Sequence, residues 1–252
     1  MSVSITGVRS ELGRLLSQQR APGNVHFNIA GQHANTLLHD GHAWKEFSRA
    51  TLAGARRALR TDADVLVHAS FAFVLGRAQK DPLRSIAETI LECESLVLSG
   101  PVPACVVRLG YLYGPESRDL RAYRSAFHLG RPYWAGPRKA LQYHLHQYDA
   151  VSALLAAASP RNVGRILYAT DGKPVSFMQF MDDFARRIGK RYPLHVPLIA
   201  MPFIKLVVRE EHMQQAALAM PARAPSPRVP GWKPAFSDYR NGLDQIIAAW
   251  NV

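Results

Sequence analysis

The sequence predicts an α/β protein with a doubly wound parallel sheet and a small C-terminal lobe. Short apolar runs rich in β-branched residues alternate with helical patterns, and such runs are typical of buried parallel strands. The clearest is Cys105–Leu109, which follows a Ser-Gly-Pro breaker and ends in Gly-Tyr-Leu-Tyr-Gly-Pro at 110–115. Because ligands bind at the carboxyl ends of strands in open α/β sheets, this turn is the first place to expect a site.

The same patterns place the remaining elements along the chain. Strands are predicted at 3–5, 24–31, from 64, at 105–109 and at 165–169. A first helix is predicted to end near residue 19. Further helices are predicted at 44–60, 81–98, 150–158, 175–188 and 239–250. We assign residues 1–160 to the core domain, and residues 161–252 to a C-terminal strand, lid helices and terminal helix within the same compact unit.

Composition favours a reduced, cytoplasmic compartment. The two cysteines, Cys93 and Cys105, are too few for a disulfide scaffold. The chain enters a strand pattern at once, so we expect no signal peptide, and no apolar run approaches the ~20 residues that span a bilayer. The longest candidate, Val196–Val208, contains two prolines and a lysine, and a lid is favoured over an interfacial membrane helix. A location peripheral to a membrane complex stays open.

The chain is strongly basic, with a formal net charge of +12. Of its 31 basic residues, 24 are arginine and 7 are lysine. This balance favours an anionic partner, which could be phosphate, nucleic acid or an acidic protein surface. The alternative is an arginine-rich surface that is simply solvated.

A histidine-rich stretch invites a metal interpretation. His33, His39 and His42 lie close to Asp40. Their spacing is irregular and no cysteine accompanies them, so a polar loop is favoured and no metal is expected.

Several segments resemble the extended short-chain dehydrogenases/reductases, the NAD-dependent epimerase/dehydratase family. Arg108–Pro115 resembles the family's Arg-Pro-x-x-x-Tyr-Gly-Pro, and Thr6–Gly13 resembles its Thr-Gly-x-x-Gly-x-x-Gly loop. His146 and Asp149 match its His-Val-x-Asp segment, and Gly231–Pro234 matches its Gly-Trp-x-Pro. The resemblance covers nearly the whole chain and implies a Rossmann-like sheet.

The resemblance also shows what is missing from the dinucleotide-binding half. Gly7 and Gly13 are present, but Ser10 replaces the middle glycine and Glu11 places a carboxylate where an anion would sit. Only residues 20–23 separate the first helix from the next strand, where a relative has two more strands and the acid that binds the ribose. We therefore expect a truncated Rossmann-like sheet, a vestigial loop and no NAD or NADP cofactor.

The family's catalytic residues are also replaced. Its Ser/Thr falls on Phe71, next to Ser70, and its Tyr-x-x-x-Lys pair falls on Ile86 and Ile90. Residues 81–99 contain no tyrosine or lysine. Reduction in this family uses a phenol as the proton donor, with its pKa lowered by the lysine, and two isoleucines cannot replace that pair.

A small ligand, if one binds, is expected to be anionic and to lie above the carboxyl end of Cys105–Leu109. The candidate residues are Tyr111, Tyr113, Arg118, Arg121 and Arg124. The alternative is that these arginines face water or a protein partner.

The sequence thus favours a degenerate, non-redox family member, a pseudoenzyme that acts as a binding or assembly subunit with a protein partner or as a homo-oligomer. A bare sheet edge at the shortened side would favour such a partner. The competing hypothesis is a cofactor-independent isomerase, cyclase or lyase that uses the former sugar-nucleotide pocket. Its acid/base candidates are His144, His146, Tyr111 and Tyr113. A third hypothesis is phosphate or RNA binding.

Overall fold

The computed structural model describes residues 3–32, 43–76, 83–131, 133, 138–190, 195 and 219–250, with the side chains of 43–46 excepted. The strands are β1 Ser4–Thr6, β2 Val25–Asn28, β3 Val65–Phe71, β4 Ala104–Leu109, β5 Tyr111–Tyr113, β6 Leu141–Gln142, β7 His144–His146, β8 Ile166–Ala169 and β9 Val175–Ser176. The α-helices described are α1 Glu11–Ser17, α2 Ala43–Ala58, α3 Leu83–Leu98, α4 Arg118–His128, α5 Gln147–Ala157, α6 Phe177–Arg187 and α7 Tyr239–Trp250.

The core is a five-stranded parallel sheet in the order β1-β2-β3-β4-β8. β1 pairs directly with β2, with Ser4 opposite His26 and Thr6 opposite Asn28. The α/β prediction is confirmed, and so is the shortened sheet, because the described residues place no strand between α1 and β2.

One face of the sheet is apolar and is covered by α1 and α5. Phe27, Val67 and Val107 project from three strands into a cluster that includes Leu12 of α1 and Leu154 of α5. These side chains recur at every second residue, as expected for strands buried on this face.

The opposite face carries a row of buried polar groups beneath α2 and α3. Asn28 and His68 are hydrogen-bonded across β2 and β3 at 2.9 Å. Glu94 of α3 accepts two hydrogen bonds from the Arg108 guanidinium, at 2.9 and 2.6 Å, and one from the Ser70 hydroxyl at 2.5 Å. This network fixes α3 to β3 and β4.

The C-terminal lobe packs around α6 and α7. Phe180 and Phe184 of α6 form a cluster with Leu243 and Ile246 of α7. Both carboxylate oxygens of Asp149 accept backbone N–H groups, from Ala235 at 2.7 Å and from Phe236 at 2.9 Å, which joins this lobe to α5. The predicted small lobe is therefore present.

Two of the sequence interpretations fall on residues that the structure does not describe. These are the histidine-rich stretch with His33, His39, Asp40 and His42, and the apolar segment at 196–208. Within the described ranges, no helix is long and apolar enough to cross a membrane. The same ranges contain no group of three or more His, Cys, Asp or Glu side chains that could hold a metal ion.

Candidate functional site

A cavity of about 550 Å³ opens at the carboxyl ends of β1 and β2. Its walls come from the turn after β1 (residues 6–12), from residues 30–32 after β2, from α2, and from the start of α4. A volume of this size suits a small-molecule or cofactor site. The position is the general ligand position of an open parallel α/β sheet.

The turn after β1 is held in a tight, open shape by its glycines and by Ser10. Gly7 has a φ of +95°, and a Cβ on Gly13 would come within 2.6 Å of the Gly7 carbonyl oxygen. The Ser10 hydroxyl accepts the Gly13 N–H at 3.0 Å and donates to the Gly7 carbonyl at 2.9 Å. These two hydrogen bonds hold the Ser10 side chain within the turn.

Charged side chains of both signs line this cavity. Arg9, Arg57 and Arg118 supply positive charge and are exposed, whereas Glu11 and Asp119 supply carboxyl groups. Glu11 accepts the Arg118 backbone N–H at 3.1 Å and the Gln147 side-chain N–H at 3.0 Å. Burial raises the pKa of Glu11, and it raises the pKa of Asp119 to about 8 with a further contribution from the Glu11 charge.

A second, smaller cavity of about 40 Å³ lies beside the first, and Gln32 and Leu112 line both. Its other walls are mainly aromatic or apolar. They are formed by Phe71, Ala72, Phe73, Leu109, Gly110, Tyr111, Gln142, Tyr143 and Met220. Such a lining offers apolar and aromatic contacts, but a volume of about 40 Å³ is too small to enclose a whole ligand.

The family's tyrosine and lysine positions are apolar in the structure as well. Ile86 and Ile90 of α3 are buried with Phe47, and Phe71 and Phe73 pack against this cluster. Ser70 is buried and bonded to Glu94. α3 therefore offers no proton donor at Ile86 or Ile90.

The histidine candidates lie away from both cavities. His144 is fully buried and stacks on Phe180 with ring centroids 4.3 Å apart, and burial lowers its pKa to about 3. His146 accepts the Tyr148 N–H at 3.3 Å, and burial lowers its pKa to about 4. Both imidazoles are neutral at pH 7 and pack inside the molecule.

The tyrosine and arginine candidates are divided by the structure. Tyr111 lines the smaller cavity and Arg118 the larger one, whereas Tyr113 is buried in the C-terminal lobe cluster. Arg121 donates to the Pro115 carbonyl at 2.9 Å, and the Arg124 guanidinium lies 5.3 Å from the Trp250 ring centroid. The structure thus brings Tyr111 and Arg118 to the cavities and directs the other three elsewhere.

Sequence reasoning missed most residues of the larger cavity, among them Arg9, Gln32, Arg57 and Asp119. Arg9 and Gln32 each lie directly beyond a predicted strand, which is a usable signal. Arg57 and Asp119 come from distant helices, and nothing in their local sequence indicates the cavity.

Comparison with known proteins begins at the level of sequence. No protein-family model matches the chain. A 3-diazoavenalumate denitrifying reductase from a Streptomyces species is 30% identical over 156 residues, which is 61% of this chain and 50% of that protein. The chain thus spans about half the length of the curated relative that it matches.

Solved structures match nearly the whole chain. The human epimerase family protein SDR39U1 (isoform 2) with NADPH has a TM-score of 0.75 at 16% identity and covers 98% of this chain and 99% of its own. RMD from Pseudomonas aeruginosa with NADPH has a TM-score of 0.69 at 15% identity, covering 99% of each chain. MoeE5 with UDP-glucuronic acid and NAD has a TM-score of 0.70 at 19% identity, covering 100% of each.

The chain therefore has the fold of the extended short-chain dehydrogenases/reductases, the epimerase-like class. Two expectations from the sequence are wrong: the non-redox binding or assembly subunit, and the absence of a nicotinamide cofactor. The three solved structures named above hold NADPH or NAD, and the curated relative is a reductase. In the turn after β1, the Ser10 hydroxyl, which was expected to obstruct a diphosphate, is bonded inside the turn to the Gly7 carbonyl and the Gly13 N–H.

Proposed function

We propose that the protein is a nicotinamide-dependent reductase that binds NADPH or NADH in the larger cavity, with its substrate against the apolar walls between the larger cavity and the smaller one. The observation that carries this proposal is the 550 Å³ cavity at the carboxyl ends of β1 and β2, built around the open Gly7–Ser10 turn. Its position and size agree with those of a dinucleotide site in an open α/β sheet.

The residues present fit such a cofactor. The Gly7–Gly13 turn leaves its backbone accessible, since the Ser10 hydroxyl is bonded inside the turn. The exposed guanidinium groups of Arg9, Arg57 and Arg118 offer charge-assisted hydrogen bonds to phosphate oxygens. Gln32 and Leu112 line both cavities, so the smaller cavity is adjacent to a ligand bound in the larger one.

The side chains that line the smaller cavity are the chain's own contribution to the reaction. Phe71, Phe73 and Tyr143 provide aromatic walls that exclude water and hold a flat substrate. Tyr143 donates its hydroxyl proton to the Pro221 carbonyl at 2.9 Å, so its ring is held in place. Gln32 and Gln142 are amide side chains at this cavity that can orient a substrate.

The apolar positions on α3 favour an acceptor that needs no proton from the enzyme. A carbonyl gains a proton on oxygen when it is reduced, but Ile86 and Ile90 cannot donate one. The name of the curated relative points to a diazo substrate that loses nitrogen. Held by the Gly7–Gly13 turn and the exposed arginines of the larger cavity, a nicotinamide dinucleotide would supply hydride. With an aryl diazonium acceptor, carbon would gain that hydride as a C–H bond while the C–N electron pair left with dinitrogen. No protonation step is then required.

Two tryptophan variants on one helix test the site. Ala50 lines the larger cavity and is exposed, whereas Ala53 is exposed on the same helix outside the cavity lining. In calorimetric titrations with NADPH and NADH, we expect Ala50→Trp to weaken binding by about tenfold or more, since it fills the cavity entrance. Ala53→Trp should bind as the wild type does. Failure of the wild type to bind either dinucleotide contradicts the proposal.

The wild type, Ala50→Trp and Ala53→Trp also test which class of acceptor the protein reduces. Each is mixed with NADPH and either an aryl diazonium ion or the matching aryl aldehyde, with a protein-free mixture as the blank. We expect the wild type and Ala53→Trp to consume NADPH with the diazonium ion and to release dinitrogen, and Ala50→Trp to lose this activity. Consumption with the aldehyde alone would contradict the acceptor class and leave the reductase assignment in place.

A further inference from the structure

The larger cavity extends along one face of α2. Ala50 and Arg57 both line it, and they lie on the same helix face as Gly54. A Cβ on Gly54 would lie 2.2 Å from the Ala30 Cβ, so this face packs closely on the segment that follows β2. The helix rises about 10 Å between Ala50 and Arg57, so the cavity extends at least that far along α2.

The two ends of the cavity along α2 have different neighbours. The end at Ala50 adjoins the smaller cavity, because Gln32 lines both cavities and Gly31 lies against Thr51 of α2. Arg57 lies about two turns further on, in the last turn of α2. With the nicotinamide ring at the first end, next to the substrate, the adenosine half of the dinucleotide extends toward the second.

The charged groups of the described cavity lining differ between its α4 side and its α2 side. Glu11 accepts the Arg118 backbone N–H at 3.1 Å and the Gln147 side-chain N–H at 3.0 Å, and Asp119 lies in the first turn of α4. On the α2 side, the charged residue in the described lining is Arg57, and its side chain is exposed. Its guanidinium group is therefore available to an anionic group of a bound ligand.

The connection between α1 and β2 contains no acidic residue that would repel a phosphate. In open α/β sheets of this kind, an acidic residue binds the ribose 2′-hydroxyl of NAD, whereas an arginine accommodates the 2′-phosphate of NADP. Residues 20–23, which connect α1 to β2 here, are Arg-Ala-Pro-Gly. Because β1 pairs directly with β2, α2 is the element that lines the cavity beside these strands.

From this arrangement we propose that Arg57 binds the 2′-phosphate of NADPH and makes the protein select NADPH over NADH. The inference rests on the proposed function, since it concerns the same cavity. The two dinucleotides differ only in that phosphate, so groups that contact the nicotinamide or the diphosphate bind both alike. A charge-assisted hydrogen bond from a guanidinium to a phosphate changes affinity by about tenfold or more.

Calorimetric titrations with NADPH and with NADH, in one buffer at one salt concentration, test the selection. We expect the wild type to bind NADPH at least about tenfold more tightly than NADH. Arg57→Met removes the charge and keeps most of the aliphatic chain. It should weaken NADPH binding by about tenfold and leave NADH binding within about twofold, and the retained NADH binding shows that the variant is folded.

Arg56→Met is the matched control. Arg56 is the neighbouring residue on α2, is exposed like Arg57, and lies outside the described cavity lining. The two variants lose the same charge from the same helix turn, so a general effect of net charge on an anionic ligand would appear in both. Arg56→Met should bind each dinucleotide as the wild type does.

Equal affinity of the wild type for NADPH and NADH overturns the inference and leaves the reductase proposal standing. A preference for NADPH that Arg57→Met leaves unchanged also overturns it. So does equal weakening of both dinucleotides by Arg57→Met, because Arg57 would then bind the diphosphate. Failure of the wild type to bind either dinucleotide contradicts the proposed function and this inference with it.

Discussion

Ser10 replaces the glycine that allows a diphosphate to approach the backbone in the family's loop, and its side chain stays out of that approach. The hydroxyl accepts the Gly13 N–H and donates to the Gly7 carbonyl, so it caps α1 from within the turn. The residue type alone suggested a lost binding site. The direction of the side chain depends on local hydrogen bonds within the turn, which a one-residue comparison does not contain.

Asp119 gives a prediction at the same scale. Its pKa is about 8 in the folded protein, against an ordinary value of 3.8. Between these values the folded protein binds more protons than the unfolded chain, so this group makes the free energy of unfolding fall as pH rises. Asp119→Asn removes that loss. At pH 8.5 we expect the variant to be more stable than the wild type by on the order of a few kcal/mol, measured by urea unfolding without cofactor.

The same measurement at pH 5 shows whether ionisation is the cause. There Asp119 is protonated in the folded protein, so the advantage of the variant should shrink or disappear. Asp244→Asn serves as the control, because Asp244 is exposed and pairs with Arg187 at the surface. Parallel pH profiles for wild type and Asp119→Asn would show that Asp119 is ionised at neutral pH.

At the scale of elements, α3 is attached to the sheet by buried hydrogen bonds from Arg108 and Ser70 to Glu94. We call this group of side chains the polar clamp. Arg108 donates to both Glu94 oxygens and also to the Tyr168 hydroxyl at 2.8 Å, and Ser70 donates to the same carboxylate. The Glu94 side chain is 3% exposed and that of Arg108 is 11% exposed. A buried, bidentate pair of this kind is costly to break from one side.

Arg108→Met tests the clamp. It leaves the Glu94 charge buried without its partner, and we expect the free energy of unfolding to fall by about 3–5 kcal/mol in urea titrations. The exposed pair Arg84–Glu88 on α3 is the matched control. Arg84→Met should change the free energy of unfolding by less than about 1 kcal/mol. Adding Glu94→Leu to Arg108→Met should recover part of the loss. A double variant no more stable than the single one would contradict this explanation.

At the scale of the whole molecule, much of the fold could be predicted from the sequence. The apolar runs located the sheet strands, and the short connection at 20–23 predicted a sheet shortened between α1 and β2. These features are local, because strand periodicity and connection length are properties of adjacent residues. The turn after β4 likewise predicted one wall of the smaller cavity, through Leu109 to Tyr111.

The candidate site was less predictable because it is assembled from distant segments. Arg57 and Asp119 are brought to one cavity only by the packing of α2 and α4 on the sheet. Asp119 would ordinarily be exposed at the start of a helix, and its burial comes from tertiary packing that no local pattern contains. The sequence also placed all of Arg118, Arg121 and Arg124 at the ligand, whereas Arg121 caps the Pro115 carbonyl and Arg124 packs on Trp250.

The central claim is that this chain binds a nicotinamide dinucleotide in the cavity between β1, β2 and the start of α4. Amide hydrogen exchange, measured by mass spectrometry with and without saturating NADPH, locates the site without requiring a substrate. The account predicts slower exchange in peptides covering 6–14, 30–32 and 112–119, with no change in 239–250. Unchanged exchange in those three segments, or protection confined to 121–131, would contradict it.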